Sequence, residues 1–214
     1  MKKDQLISAP EPTIRRMPTY VHYLKGLDAG PEAFISTSKM SVDLGFDPTQ
    51  IRKDLSYVDI VGKNRVGYPI EQLIKAIEDF LGWNIRKDAI LVGAGHLGSA
   101  LLGYERLDQY GMNIIMAFDV HPAKVGEKIH GIEIRHISKM AEIIKQKNIE
   151  VGIITVPASQ AQAVASMMED SGIKAIWNFA PVSLNISKDN VFVENALLYS
   201  SLSILACKLK FINR

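Results

Sequence analysis

Apolar residues along this chain change their spacing once, near residue 88. Before it they recur at three- and four-residue steps; after it, short unbroken apolar runs alternate with helical segments. In the first part Tyr20, Tyr23, Leu24 and Leu27 form a helical stripe that begins near Thr13 and stops at Gly30-Pro31. Met40 and Leu44 share a face after Ser36, a capping residue, and Gly45 ends that short helix. Asp47-Pro48-Thr49-Gln50 then combines a cap, a proline at the first helical position and a glutamine three residues past the cap, which predicts a capping box and a third helix. Ile51 and Leu55 point inward together, leaving Gln50, Arg52, Lys53 and Ser56 outside. Two short helices joined by Gly45-Phe46-Asp47 have the layout of a helix-turn-helix, whose second helix enters a DNA major groove by its N-terminal end. VDIVGKNRVGYPI follows, two short β-prone pieces around a basic tip at Gly62 to Arg65, hence a hairpin or wing. Leu73, Ile74, Ile77, Phe80 and Leu81 make a fourth helix from about Pro69 to Gly82. The competing reading of residues 13 to 82 is a helical dimerisation or lid domain with a solvated basic face.

From Asp88 the order becomes strand, glycine loop, helix, strand, acid. Ala89 to Val92 is a buried parallel strand, Gly93-Ala94-Gly95-His96-Leu97-Gly98 fits G-x-G-x-x-G, a helix runs from Gly98 to about Gln109, and Ile114 to Phe118 ends in Asp119. That order specifies a dinucleotide site. The first glycine permits the turn, the second lets the backbone approach a pyrophosphate, and the third lets helix and strand pack closely. Asp119 can accept the hydroxyls of an adenine ribose and would repel a 2'-phosphate, favouring NAD(H) over NADP(H). Further strands fall at Ile132 to Ile134, Val151 to Val156, Ala175 to Phe179 and Val191 to Val193, with helices over 138 to 147 and from Pro157 to about Ser171. Val156-Pro157 and Asn178-Phe179 close strand ends where nicotinamide is expected. The alternative is an empty Rossmann unit that keeps its glycines for packing.

Leu198, Leu202, Leu205, Leu209 and Ile212 recur at alternating steps of four and three, beside a second stripe of Leu197, Ile204 and Phe211. Two apolar faces on one terminal helix need two surfaces to cover them. A partner subunit supplies the second economically; burial within the monomer is the other solution.

Composition narrows the class. The chain has 214 residues, 47% hydrophobic and 22% charged, as ordinary globular proteins do. No apolar run approaches the roughly 20 residues of a membrane span, and the first residues lack the apolar core of a signal peptide, so a cytoplasmic protein is expected. A single cysteine, Cys207, and no Cys/His grouping of metal-site spacing argue against a disulfide or a structural metal. The net charge is only +2, yet residues 1 to 65 hold 10 Lys/Arg against 8 Asp/Glu, leaving 15 of each for the rest. No lysine or histidine stands at the strand ends at Val156 and Phe179, and no stretch is left for a substrate domain. The sequence therefore reads as a binder of NAD(H) without a reaction or a small-molecule substrate. An oxidoreductase with an N-terminal helical cap is the alternative, and an NAD(H)-binding regulator with weakened switching a third.

Taken together, QIRKDLSY at 50 to 57, VGKNRVGY at 61 to 68, VGAGHLG at 92 to 98, AFDVHPAKVG at 117 to 126, ITVPASQAQ at 154 to 162 and NFAPVSLN at 178 to 185 resemble the Rex family of bacterial redox-sensing transcriptional repressors. The resemblance runs from about Ile14 to Leu209. It implies an α/β chain with a winged-helix (helix-turn-helix) DNA-binding domain over 1–84, a Rossmann dinucleotide-binding domain over 85–195, and a C-terminal helix over 196–214 swapped within a homodimer. In such repressors NADH, the tighter ligand, releases a palindromic double-stranded operator, and NAD+ permits binding. Carried over, the dinucleotide would be held by Gly93, Ala94, Gly95, His96, Leu97 and Gly98, by Asp119 with Val120, His121 and Lys124, and by Val156, Pro157, Asn178 and Phe179. Tyr104 would lie near the nicotinamide, and Leu198 would be an apolar plug for the partner's pocket. Ser38, Thr49, Gln50, Arg52, Lys53, Ser56 and Tyr57 would approach DNA, with Lys63, Asn64 and Arg65 on the wing. The chain departs from the family where His96 replaces an asparagine or arginine, where the wing reads GKNRVGY rather than GKRGVGY, and where His22 and Leu197 stand in place of an arginine and an aspartate that latch the tyrosine.

Overall fold

The computed structural model describes residues 9–28, 30, 32–104 and 106–212 and divides the chain into two units, 1–85 with 109–111, and 86–108 with 112–214. In the first, α1 (Glu11–Lys25), α2 (Thr37–Leu44), α3 (Pro48–Leu55) and α4 (Ile70–Leu81) surround a core of Met17, Tyr20, Val21, Leu24, Met40, Ile51, Leu55, Leu73 and Ile77. The expected caps form: Ser36 accepts the N–H of Lys39, Asp47 accepts those of Thr49 and Gln50, and Gly45 and Gly82 close their helices in the left-handed conformation.

Two local expectations change. The segment before the basic tip forms no strand; β2 (Tyr68–Pro69) pairs antiparallel with β1 (Phe34–Ile35), just ahead of α2. Residues 63 to 67 close instead as a tight loop, Lys63 and Gly67 exchanging backbone hydrogen bonds of 2.8 and 2.9 Å. A side chain at Gly67 would lie 2.1 Å from the Ile35 carbonyl oxygen, so this position brings the wing against β1 only as glycine. The capping box is one-sided, because Gln50 turns its amide to Asp54 and not back to the cap.

The second unit is a seven-stranded sheet of β3 (Lys87–Val92), β4 (Met112–Asp119), β5 (Lys128–Ile129), β6 (Ile132–His136), β7 (Val151–Ile154), β8 (Ala175–Asn178) and β9 (Phe192–Asn195), in the order β5-β6-β4-β3-β7-β8-β9. Every pairing is parallel except the β5–β6 hairpin. α5 (His96–Leu102), α6 (Met140–Lys147) and α7 (Ala158–Ser171) cover it, and α8 (Leu198–Ile212) ends the chain. Ile90, Val92, Phe118 and Ile154 pack into one apolar layer with Ile143, Ala165 and Met168, and Ala89, Leu91, Ala117 and Ile153 into another with Leu102. Strands buried on both faces read as continuous apolar runs, which is why the sequence exposed them. The strand order reverses at β3, so the crevice beyond its carboxyl end is the switch point where such sheets bind ligands.

α5 ends at Leu102, seven residues short of the expected end, and Asp108–Tyr110 is a separate 3₁₀ turn. The β5–β6 hairpin is a further departure from the expected elements. Its two-residue turn, His130-Gly131, has φ of 50° and 82°, the mirror-image turn that suits strand twist. Among the described residues no helix is long and apolar enough to cross a membrane.

Candidate functional site

The carboxyl ends of β3, β4 and β7 enclose a cavity of about 380 Å³. Gly93 enters it at φ 103°, where a side chain would meet the Thr155 backbone at 2.9 Å; at Gly98 a Cβ would lie 2.0 Å from the Gly93 carbonyl oxygen; at Gly95 nothing comes within 4 Å. Two glycines are therefore required by packing. The middle one opens space beside the start of α5, where free N–H groups and the helix dipole favour an anion.

Asp119 closes the far side. Its carboxylate accepts the N–H of Ala94 (2.9 Å) and of His121 (2.9 Å), and pairs with the Lys124 ammonium at 3.3 Å. Burial pushes this carboxyl upward, but the His121 N–H, Lys124 and the Ala94 N–H together outweigh it, holding Asp119 below the usual carboxylate range. A carboxylate offers about four acceptor positions, so three donors leave one for a ribose hydroxyl. Lys124 then stands beside the acid as the natural partner for the other.

Val120, His121, Val156 and Pro157, singled out in the sequence, line the same cavity. Thr155, Ile137 and Gln160 line it unanticipated. The Thr155 hydroxyl lies 3.0 and 2.8 Å from the Val92 and Gly93 carbonyl oxygens and buttresses the glycine loop; its signal was a lone polar residue ending an apolar strand. His96 and Leu97 are exposed on α5, and Tyr104 is half exposed beyond its end. Asn178 is buried with its amide committed to Ala180, Val182 and Asn195, so its side chain shapes the loop after β8. The Phe179 ring packs on Trp177 at 4.6 Å. The Leu198 side chain lies outside the described residues. Among the described residues no group of His, Cys, Asp or Glu could hold a metal.

In the first unit α3 presents Thr49, Arg52, Lys53 and Ser56 as exposed residues, with Gln50 and Tyr57 half-buried. Arg52 Nε donates to the Pro48 carbonyl at 3.2 Å and the Ser56 hydroxyl to that of Lys53 at 2.7 Å. Ser38 is exposed in the first turn of α2, and Lys63, Asn64 and Arg65 are exposed on the wing. The Lys63 ammonium sits 4.7 Å above the Phe34 ring, tying the wing to β1. Beneath α3, buried Asp54 accepts from Thr13, Arg16, Tyr20 and Gln50. Its carboxyl, raised by burial, is lowered more by Arg16 and then by Tyr20, Gln50 and Thr13, and so stays ionised.

A family model described as a putative DNA-binding protein N-terminus matches residues 8–56, and one described as a CoA-binding domain matches residues 84–182. Among curated proteins, the redox-sensing transcriptional repressor Rex of Bacteroides thetaiotaomicron is 41% identical over 202 residues, covering 94% of this chain and 91% of its own. That of Treponema denticola is 39% identical over 205 residues, covering 96% of each. The chain belongs to the Rex family. Among solved structures, the Rex-family repressor RSP in complex with β-NAD+ and operator DNA superposes with a TM-score of 0.89 at 33% identity, covering 96% of this chain and 94% of that one. RSP in complex with β-NADH gives a TM-score of 0.86 at 33% identity, with 96% of both covered.

Within this Rex-family chain the two latch positions hold His22 and Leu197. His22 Nε2 lies 2.9 Å from the Tyr110 hydroxyl, in a cluster with Trp83 whose ring centroid is 4.7 Å from that of Tyr110. Leu197 precedes α8, whose first turn holds no acidic residue. Along α8, Leu202, Ile204, Leu205, Leu209, Phe211 and Ile212 are each at least half exposed.

Proposed function

We propose that this chain is a dimeric redox-sensing repressor that holds NAD(H) in the β3–β4–β7 cavity, grips a palindromic operator through α3 and the wing, and releases it when NADH is bound. The observation that carries the reading is the join of the glycine loop to Asp119 through the Ala94 N–H, beside an ion-paired Lys124. This arrangement supports an adenine-ribose site over a packing relic. RSP, a third identical, is described with both nicotinamide ligands and with operator DNA, which supports the same pair of ligands here. The uncovered apolar length of α8 supports a second copy of the chain, since a helix this exposed has too little of its own surface buried to persist alone.

The test is operator affinity titrated with NADH and with NAD+. NADH should weaken binding by a factor of roughly 5 to 30, a coupling of about 1 to 2 kcal/mol. Arg52→Ala with Lys53→Ala should lower affinity and flatten the log-log salt slope by about one for each phosphate no longer neutralised. Undiminished binding by the double variant would refute the placement of α3 on DNA.

A further inference from the structure

Gln50, third residue of α3, sits where a recognition helix meets base edges. Among the described residues its side chain makes one hydrogen bond: Nε2–H donates to Asp54 Oδ1 at 2.9 Å. Among the described residues no donor reaches its Oε1.

The chemistry of Asp54 fixes which way this amide faces. The carboxylate is fully buried and ionised, and its oxygens also accept the Thr13 hydroxyl (2.9 Å), Arg16 Nε and Nη2 (2.7 Å each) and the Tyr20 hydroxyl (2.7 Å). An ionised carboxylate only accepts, so the Gln50 group facing it must be the NH₂. Turning the amide over would set its oxygen against a buried anion and lose a charge-assisted bond. Arg16 and Tyr20 anchor Asp54 from α1, so Asp54 cannot swing away to follow.

Gln50 is thereby left with a fixed edge of one carbonyl oxygen and the second N–H. An adenine shows a complementary edge in the major groove, N6–H to the oxygen and N7 to the N–H. Guanine shows two acceptors there, and its O6 would oppose Gln50 Oε1. A free glutamine could rotate to relieve that clash; this one is held. We propose that Gln50 is an adenine-selective reader of one base pair in each operator half-site, with Asp54 as the residue that positions it. The inference rests on the repressor reading above.

The experiment selects duplexes from a randomised inverted-repeat library with the full-length protein and NAD+, then measures affinities for every single-base change in the selected half-site. The parent should prefer adenine over guanine by about tenfold or more at one position, where Gln50→Ala should show less than about twofold preference. Replacing that adenine with 7-deazaadenine, which lacks the N7 acceptor, should weaken the parent severalfold and leave Gln50→Ala unaffected. Asp54→Asn, which can present either end of its own amide, should admit guanine at that position alone; if it does not fold, the 7-deazaadenine comparison still decides. A Gln50→Ala profile identical to the parent's, a guanine preference at the affected position, or a parent indifferent to 7-deazaadenine would overturn the inference while leaving the repressor reading intact. Failure of the parent to select any sequence would overturn both.

Discussion

Replacing Lys124 with methionine should sharpen the preference for NADH over NADPH. The reasoning starts from Asp119, whose carboxylate would face the extra 2'-phosphate of NADPH. At roughly 5 Å and an effective dielectric near 20, a monoanion and a dianion repel by about 6 to 7 kcal/mol. Lys124, 3.3 Å from Asp119, must lie close to the same phosphate. At roughly 6 Å it would return about 5 to 6 kcal/mol, leaving a net preference of about 1 kcal/mol. The parent should thus favour NADH only about fivefold. Methionine keeps the length and packing of the lysine stem but removes the charge. Because the Lys124 side chain is 37% exposed, solvent screening will shrink the bare figure, and a further ten- to a hundredfold widening is expected. Asp119→Ala should do the opposite, leaving Lys124 to attract the phosphate and bringing the ratio to one or below. Calorimetric titration of both nucleotides into parent and variants at one ionic strength measures this. A ratio in Lys124→Met within twofold of the parent's would show that Lys124 does not face the ribose edge.

Three further outcomes follow from particular contacts. Gly95→Ala should keep the parent's thermal midpoint yet bind NADH at least about tenfold more weakly, since its methyl enters open space that a pyrophosphate needs, whereas Gly98→Ala, 2.0 Å from a carbonyl oxygen, should lose about 1 to 3 kcal/mol of stability as well; calorimetric scanning with NADH titration separates them. Arg16→Met should cost about 3 to 5 kcal/mol in urea unfolding at pH 7 by stripping the ion pair from buried Asp54. Because the folded Asp54 carboxyl lies below its unfolded value, that difference should be full above about pH 4 and vanish as the pH falls through the folded value. Leu198→Ala should reduce the NADH effect on operator affinity toward one, read from operator titrations with each nucleotide at saturation.

The elements that the sequence made legible are those whose signals are local. Asp47-Pro48 and Ser36 are caps by their own chemistry, and Gly93, Gly98 and Asp119 lie at fixed distances along one strand-loop-helix-strand unit, so spacing sufficed. What spacing could not supply was competition between partners. Gln50 has the residue type and position of a capping-box member, and only the three-dimensional placement of Arg16 and Tyr20 around Asp54 draws it the other way. Asn178 stood at a strand end facing the crevice, and the loop back to Asn195 claimed its amide. The wing's β-prone first arm lost its pairing to Phe34-Ile35, more than 30 residues distant from Tyr68, because that segment leads into the Ser36 cap already extended. His130-Gly131 was a readable hairpin turn, masked by flanking strands too short to show alternation.

The departures at residues 22 and 197 bear on how ligand and operator could be coupled. Two sites communicate only through contacts that differ between two states of the molecule. A family member with an arginine and an aspartate there can place a charge pair in one state and break it in the other. In this chain the helix-one position is a histidine engaged with Tyr110, and the start of α8 has leucines at 197 and 198 and no acid in its first turn. Among the described residues, the exposed apolar side chains of α8 offer such a differential contact. Full burial of one leucine side chain is worth about 1.5 to 3 kcal/mol, and a conformational switch realises part of that. One leucine's burial per switch therefore corresponds to a coupling of up to roughly a hundredfold, and the expected range of roughly 5 to 30 lies inside it. It also separates the two effects of salt: ionic strength will weaken the grip of α3 and the wing on phosphates, while whatever part of the ratio between the NADH and NAD+ states is carried by apolar burial should depend far less on salt.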